Sequence, residues 1–246
     1  MTSERRQHVV FKDMGVIPYR EAWNAQGELN KQLIQDKRSQ EDGVGQLPHT
    51  LLFCEHPPVY TLGKSGSEEH LLANDAELNE INAEFIKINR GGDITFHGPG
   101  QVVGYPILDL ERFFTDVHRY VRTIEQCIID LLATYGLQGL RLEGYTGVWL
   151  HSDVIGWRKI CAIGVHLSRW VTMHGFALNV NTDLKYFNNI VPCGIGEEDK
   201  TVTSLAVELG YSVEMEEVKS RLKDIFAQNF EYDYITTIEK EIHGTI

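Results

Sequence analysis

This chain of 246 residues has no basic excess: 23 Lys and Arg stand against 35 Asp and Glu, a formal charge of −12. Proteins that grip nucleic acid without sequence preference need a basic footprint, so general nucleic-acid binding is excluded, although a local cationic strip is not. Long apolar runs are also missing. None approaches the ~20 residues of a membrane span, and the stretch Met1 to His8 has charges with no apolar segment behind them. No membrane partner and no secretory signal are therefore expected. Cysteine is scarce, at positions Cys54, Cys127, Cys161 and Cys193. No two form a C-x-x-C pair, which argues against a zinc knuckle or a thioredoxin-like centre and fits a reducing, cytoplasmic location. Repeats, low-complexity tracts and a dividing linker are absent as well. One domain over residues 1–246 is expected, with ample chain for a core.

The patterning predicts a helix over Tyr19 to Asp36, with Trp23, Leu29 and Leu33 on its apolar face. Short strands are read at Thr50 to Cys54 and Phe85 to Asn89, and another leaves a glycine-rich run at Val102 to Leu110. That run is then a loop between two strands. Val117 to Tyr135 reads as an amphipathic helix, with Val121, Ile124, Ile128, Leu131 and Leu132 at helical spacing. Thr146 to Leu150, Lys159 to Leu167 and Thr172 to Val180 form an antiparallel meander. Asn181 to Gly196 is mostly loop. Thr203 or Ser204 caps a short helix that stops at Gly210, and a last helix covers Glu214 to Gln228. Neighbouring strands with helices gathered elsewhere indicate an α+β fold with a mixed, largely antiparallel sheet.

The run Arg90-Gly91-Gly92-Asp93-Ile94-Thr95-Phe96-His97-Gly-Pro-Gly-Gln101 packs four glycines and several polar side chains into twelve residues. Such glycine density lets the backbone approach a ligand closely. Gly63-Lys64-Ser65 looks like the end of a phosphate-binding loop, but Pro58 stands where that loop needs its first glycine, so an ATPase or GTPase reading fails. His56, in a rigid His-Pro-Pro segment, reads as a hydrogen-bonded structural histidine. His166 and His174 lie on neighbouring strands without a carboxylate or cysteine at ligand spacing, so no metal site is expected. Cys54, Cys127 and Cys161 sit in apolar segments and read as buried thiols. Cys193 stands between Pro192 and Gly194 instead, where its sulfur would be approachable and Gly194 could offer an N–H to an oxyanion. Lys159 opens an apolar strand, where partial desolvation would make its amine usable as a base. The residues alone leave a structural role open for both.

Taken together, these segments resemble the lipoyl(octanoyl) transferase family. The glycine-rich run is similar to the family's signature. Glu55 to Gly63, Lys159 to Gly164, Thr172 to Asn179 and Val191 to Gly194 resemble four further blocks, in the family's order, over about residues 50–205. The resemblance implies a fold like the catalytic domains of biotin protein ligases and lipoate ligases. It implies transfer of an octanoyl group from octanoyl-acyl carrier protein to a lysine of lipoyl domains, in 2-oxoacid dehydrogenase complexes and the glycine cleavage H protein. Cys193 would carry the acyl group as a thioester and Lys159 would handle protons. Arg90 to His97, Ala162, Ile163, Gly164, Gly175, Phe176 and Ala177 would wall the acyl pocket. No cofactor is implied, because a thioester is already activated. The rival readings are an ATP-dependent lipoate-protein ligase and a non-catalytic acyl-chain or lipoyl-domain binder. Both implied protein partners tend to be acidic, so a basic strip using Arg158, Lys159 and Arg169 is expected.

Overall fold

The computed structural model describes residues 6–191 and 200–236. In chain order the elements are β1 (Gln7–Val16), α1 (Tyr19–Ser39), β2 (His49–Glu55), β3 (Val59–Leu62), α2 (Asp75–Glu80), β4 (Glu84–Lys87), β5 (Ile94–His97) and β6 (Gln101–Ile107). Then come α3 (Val117–Thr134), β7 (Leu140–Leu142), β8 (Tyr145–Ser152), β9 (Gly156–Ser168), β10 (Val171–Asn179), β11 (Lys200–Val202), α4 (Leu205–Leu209), α5 (Met215–Asn229) and β12 (Tyr232–Ile235). A nine-stranded sheet runs β12-β1-β2-β6-β10-β9-β8-β7, with β11 added beside β9. Its β2-to-β7 portion is antiparallel, while β1 pairs parallel with both β2 and β12, and β11 parallel with β9. A second sheet, β4-β3-β5, has three strands. This is the mixed, largely antiparallel α+β fold expected, and the β8-β9-β10 meander lies where the patterning put it.

Helices α3 and α5 cover one face of the large sheet. The main core there joins Tyr120, Ile124, Ile128 and Leu131 of α3 to Leu222 and Phe226 of α5 and to Phe53, Ile160, Cys161 and Phe176 of the strands. Asp116 caps α3 by accepting from Arg119 N, and Ser204 caps α4, which Gly210 ends in a left-handed conformation. On the opposite face α1 packs over β10 and β6.

Helix α1 packs its expected apolar residues, with Leu33 buried and Leu29 and Trp23 half-buried against neighbouring cores, but half of its buried face is polar. Its fully buried residues are Tyr19, Ala22, Gln26, Asn30, Leu33 and Lys37. The polar members are buried because each has a partner. Gln26 accepts from His174 N, Asn30 donates to the carbonyls of Val171 and Thr172, and Lys37 donates to Asp109. Buried polar groups are tolerated when they are bonded.

The glycine-rich run is also not wholly a loop. Its middle forms β5, which pairs with β3 from Ile94↔Leu62 to His97↔Val59. The backbone N–H groups of Gly63, Lys64 and Ser65 donate to the carbonyls of Asp93, Arg90 and Gly92. The segment that imitates a phosphate loop therefore braces the run. Gly91 N in turn donates to Val165 O at 2.9 Å, fastening the run onto β9.

Candidate active site

Between the large sheet and the run 90–97 lies a cavity of about 350 Å³. Its walls include Tyr19 of α1, Arg90 to Thr95 and His97, Gln101, Val103 and Tyr105 of β6, Lys159 and Ala162 to Val165 of β9, and His174 to Ala177 and Asn179 of β10. Small residues are required where the walls meet. A Cβ on Gly164 would stand 2.9 Å from Gly91 O and 3.0 Å from Arg90 Cδ. Gly92, at φ +84°, takes a conformation that side chains rarely adopt.

Lys159 reaches this cavity because β9 slips by one residue against β8. Val148 pairs with Cys161, but Trp149 pairs with Lys159, which leaves Ile160 as an extra residue. Ile160 and Cys161 both pack in the main core. Alternation then restarts, and Lys159 falls on the cavity side with Ala162 and Gly164. A bulge commonly re-aims a side chain in this way. The ammonium lies 4.7 Å from the centre of the Trp149 ring. Gly147, at φ +120°, passes beside the lysine stem, where a Cβ would come within 3.4 Å of Lys159 Cε and 2.5 Å of Cys161 O. Its N–H is held at 3.1 Å by Glu125 of α3, a fully buried carboxylate that also takes Arg122 and Arg141.

A chain of buried polar groups runs behind the pocket. Arg90 Nη2 donates to Thr61 Oγ1 at 3.0 Å and to Thr61 O at 2.7 Å. Gln101 Nε2 donates to Phe96 O and Asn179 Oδ1, so its Oε1 is the atom 2.9 Å from His97 Nδ1 and must accept. His97 therefore carries its proton on Nδ1 and accepts from the Thr61 hydroxyl at Nε2, 3.3 Å away. Asn179 Nδ2 continues the chain to Thr203 O, and Thr203 N donates to Lys159 O. Burial, helped by His56 and Arg90, pushes the His97 pKa well below its ordinary value, so the imidazole is neutral.

The other histidines here are neutral for the same reason. His56 donates from Nδ1 to Ile17 O and accepts from Tyr105 Oη, each at 2.7 Å, with its pKa pushed down by burial to about 4. This is the structural role read from the sequence. His174 has φ +58°, bonds Asn89 through Nε2, and is lowered to about 3 by burial and by Arg90. Register sets His166 opposite Met173 and His174 opposite Val165. No group of three or more His, Cys, Asp or Glu that could hold a metal ion occurs among the described residues.

Cys54, Cys127 and Cys161 are free, wholly buried thiols, and burial is the main cause holding each protonated. Cys193 lies outside the described residues. On either side of that segment, Val191 N donates to His70 O, and β11 pairs with β9 so that Val202 faces Lys159.

Of the residues expected in the pocket wall, Phe96 turns away. It packs in the core of the small sheet, its ring stacked on Tyr186 at 4.5 Å. The other thirteen, from Arg90 to Ala177, line the cavity. Of the residues expected in a basic strip, Arg158 is paired with Glu208 at 2.7 and 3.0 Å, and Arg169 stands exposed in the turn at the far end of β9. Tyr19, Tyr105, Tyr145 and Asn179 line the cavity without any local pattern to mark them. Gln101 could have been found, since it closes the glycine-rich run.

The family model of the lipoyl protein ligase A/B catalytic domain matches residues 18–227. An octanoyltransferase of Cytophaga hutchinsonii is 50% identical over 250 residues, covering 100% of both chains. One of Flavobacterium johnsoniae is 54% identical over 230 residues, covering 92% of this chain and 98% of its own.

The chain belongs to the octanoyltransferase family.

Solved structures of the same fold include the bipartite lipoate protein ligase system of Thermoplasma acidophilum, with a TM-score of 0.62 at 17% identity over 95% of this chain and 88% of that one. The biotin protein ligase of Aquifex aeolicus has a TM-score of 0.51 at 13% identity, over 91% and 70%. No helix among the described residues of this octanoyltransferase is long and apolar enough to cross a membrane.

Proposed function

We propose that this octanoyltransferase moves an octanoyl group from octanoyl-acyl carrier protein to a lysine of a lipoyl domain through a thioester on Cys193. The observation that carries the reading is the cavity, a slot whose β9 and β10 walls are narrowed by Ala162, Gly164, Gly175 and Ala177, with Lys159 at one end of the β9 wall. At about 3.3 Å per residue, Gly164 lies about 16 Å along β9 from Lys159. An extended eight-carbon chain, with C–C bonds of about 1.5 Å, measures about 9 Å and fits within that length. The volume is at the small end of ligand pockets.

In the first step the Cys193 thiol gives its proton to the Lys159 amine, and the thiolate attacks the donor's carbonyl carbon. The new C–S bond forms as the donor's C–S bond breaks, and the departing thiolate takes the proton from Lys159. In the second step the acceptor lysine's amine attacks the acyl-enzyme carbonyl. An amide forms, Cys193 leaves as thiolate, and the proton lost by the amine returns to the sulfur through Lys159. Both steps begin from a thioester, so neither needs ATP. The choice of Cys193 is supported by the burial of the other three thiols, which leaves them protonated and out of reach of a substrate.

The test is intact mass after mixing with octanoyl-acyl carrier protein in the absence of ATP. A single octanoyl adduct is expected on the wild-type protein and none on Cys193→Ala. Lys159→Ala should stay folded and lose most of the transfer rate. An unmodified wild-type protein would overturn the proposal. The ligase alternative predicts that modification waits for ATP and survives Cys193→Ala.

A further inference from the structure

We infer that His174 is a specificity-determining residue: its ring is the end wall that limits how long an acyl chain the slot accepts. The inference rests on the acyl transfer proposed above and deepens it by naming what sets the length of the substrate.

The cavity ends at one level on both strands. On β9 its lining starts at Lys159 and stops at Val165, and on β10 it starts at Asn179 and stops at His174. The two last residues are paired, His174 opposite Val165. On the β9 side the run 90–92 comes down onto the sheet at this level, with Gly91 N donating to Val165 O. On the β10 side the closing group is the imidazole, and the backbone puts it there. Phe176 and Leu178 pack in the main core under α3, and strand alternation would send residue 174 to the same face. At φ +58° His174 breaks that alternation. Its ring lies on the α1 face instead, 6.3 Å from the Trp23 ring, with Nε2 2.8 Å from Asn89 Oδ1. Gln26 Oε1 holds its backbone N–H at 2.9 Å. Left-handed backbone is uncommon in a residue with a side chain, persists only where the surroundings enforce it, and clusters at ligand clamps.

The free edge of the ring is a second sign. His174 is 1% exposed. Nε2 donates to the Asn89 carbonyl, so Nδ1 is an acceptor, and it is buried with no hydrogen-bond partner among the described residues. The methyl end of an acyl chain cannot satisfy such an atom. A chain that reaches further must push the ring aside and break its bond to Asn89. An extended chain grows by about 1.3 Å per methylene, and an imidazole reaches roughly 3–4 Å beyond its Cβ, so the ring occupies the length of two or three carbons.

The experiment measures kcat/KM for adduct formation, by intact mass against time, with octanoyl-, decanoyl- and dodecanoyl-acyl carrier protein. The wild type should lose at least about tenfold between octanoyl and dodecanoyl. His174→Gly removes the ring and accepts φ +58° without strain. Each extra buried methylene is worth about fourfold, so the dodecanoyl-to-octanoyl ratio of this variant should rise about tenfold. Asn89→Ala keeps the ring but releases it, and should raise the same ratio about threefold. Circular dichroism and Tm establish which variants are folded, and Asn89→Ala decides alone if His174→Gly is not. A merely structural role would lower the rates with all three donors together. A ratio unchanged in the folded variants overturns the inference, as does a wild type that takes dodecanoyl as fast as octanoyl. If the wild type forms no adduct with any donor, the proposed function falls, and calorimetry with free octanoate and dodecanoate decides the length limit. Tighter binding of octanoate by the wild type and of dodecanoate by His174→Gly would then support the inference, and any other order would overturn it.

Discussion

Replacing Gln101 by leucine tests whether the polar chain behind the pocket acts as one unit. Gln101 is 1% exposed. Its amide accepts from His97 Nδ1 and donates to Phe96 O and Asn179 Oδ1. Leucine fills a similar volume and satisfies none of the three, so three polar atoms lose a partner where water is scarce. At about 1–3 kcal/mol for each stranded group, the expected loss is roughly 3–9 kcal/mol, a large share of the 5–15 kcal/mol that holds a typical domain together. Asn179→Leu strands Gln101 Nε2 and Thr203 O and should cost roughly 2–6 kcal/mol. In the double variant the bond between the two amides is missing at both ends, so no partner is stranded by it. The sum of the singles counts two stranded groups that the double variant lacks, so the double loss should fall short of that sum by about 2–3 kcal/mol. Urea unfolding followed by circular dichroism measures all three, with the slope against urea checked for constancy. A Gln101→Leu loss below about 1 kcal/mol, or strict additivity, would refute the reasoning.

Acid should unfold the protein through its buried histidines. Burial lowers His49 and His174 to about 3 and His56 to about 4 from 6.5, and holds His97 well below it. The folded form keeps these rings neutral while the unfolded chain protonates them near pH 6.5, so the unfolded state binds more protons and stability declines as pH falls below 6.5. At pH 5 each contributes a loss of about 2 kcal/mol. Urea midpoints measured from pH 7 to 4 should fall steadily, and a flat profile would contradict the neutral assignments. Gly164→Val should force the run 90–92 off β9, because its Cβ meets Gly91 O at 2.9 Å. A loss of about 1–3 kcal/mol is expected from overpacking. Acyl-adduct formation should fall by at least tenfold even at temperatures where the variant is folded, which intact mass against time would measure.

Local pattern was enough for much of this molecule. The α3 stripe, the β8-β9-β10 meander and the Ser204–Gly210 helix all have signals confined to a few residues, and each lies within two or three residues of its expected place. The glycine-rich run was legible as a wall only through its resemblance to the family's signature; the glycines by themselves indicated no more than close backbone approach. Elements whose reasons lie elsewhere in the chain were not legible. Strand β1 is held by partners at both ends of the sequence, β2 and β12. The polar face of α1 is buried only because β10, Asp109 and Arg169 O offer it donors and acceptors.

The sequence by itself settled the family, the fold class and the identity of Lys159 and Cys193 as candidates, since these depend on residue types in order. Tertiary structure alone decided what surrounds Lys159. The bulge at Ile160 turns the lysine toward the cavity, β11 sets Val202 opposite it, and Arg158 is committed to Glu208. Phe96 likewise faces away from the pocket its neighbours line, because strand alternation gives successive residues to opposite faces. Side-chain direction and charge pairing depend on register between strands distant in sequence, and no local run of residues encodes that register.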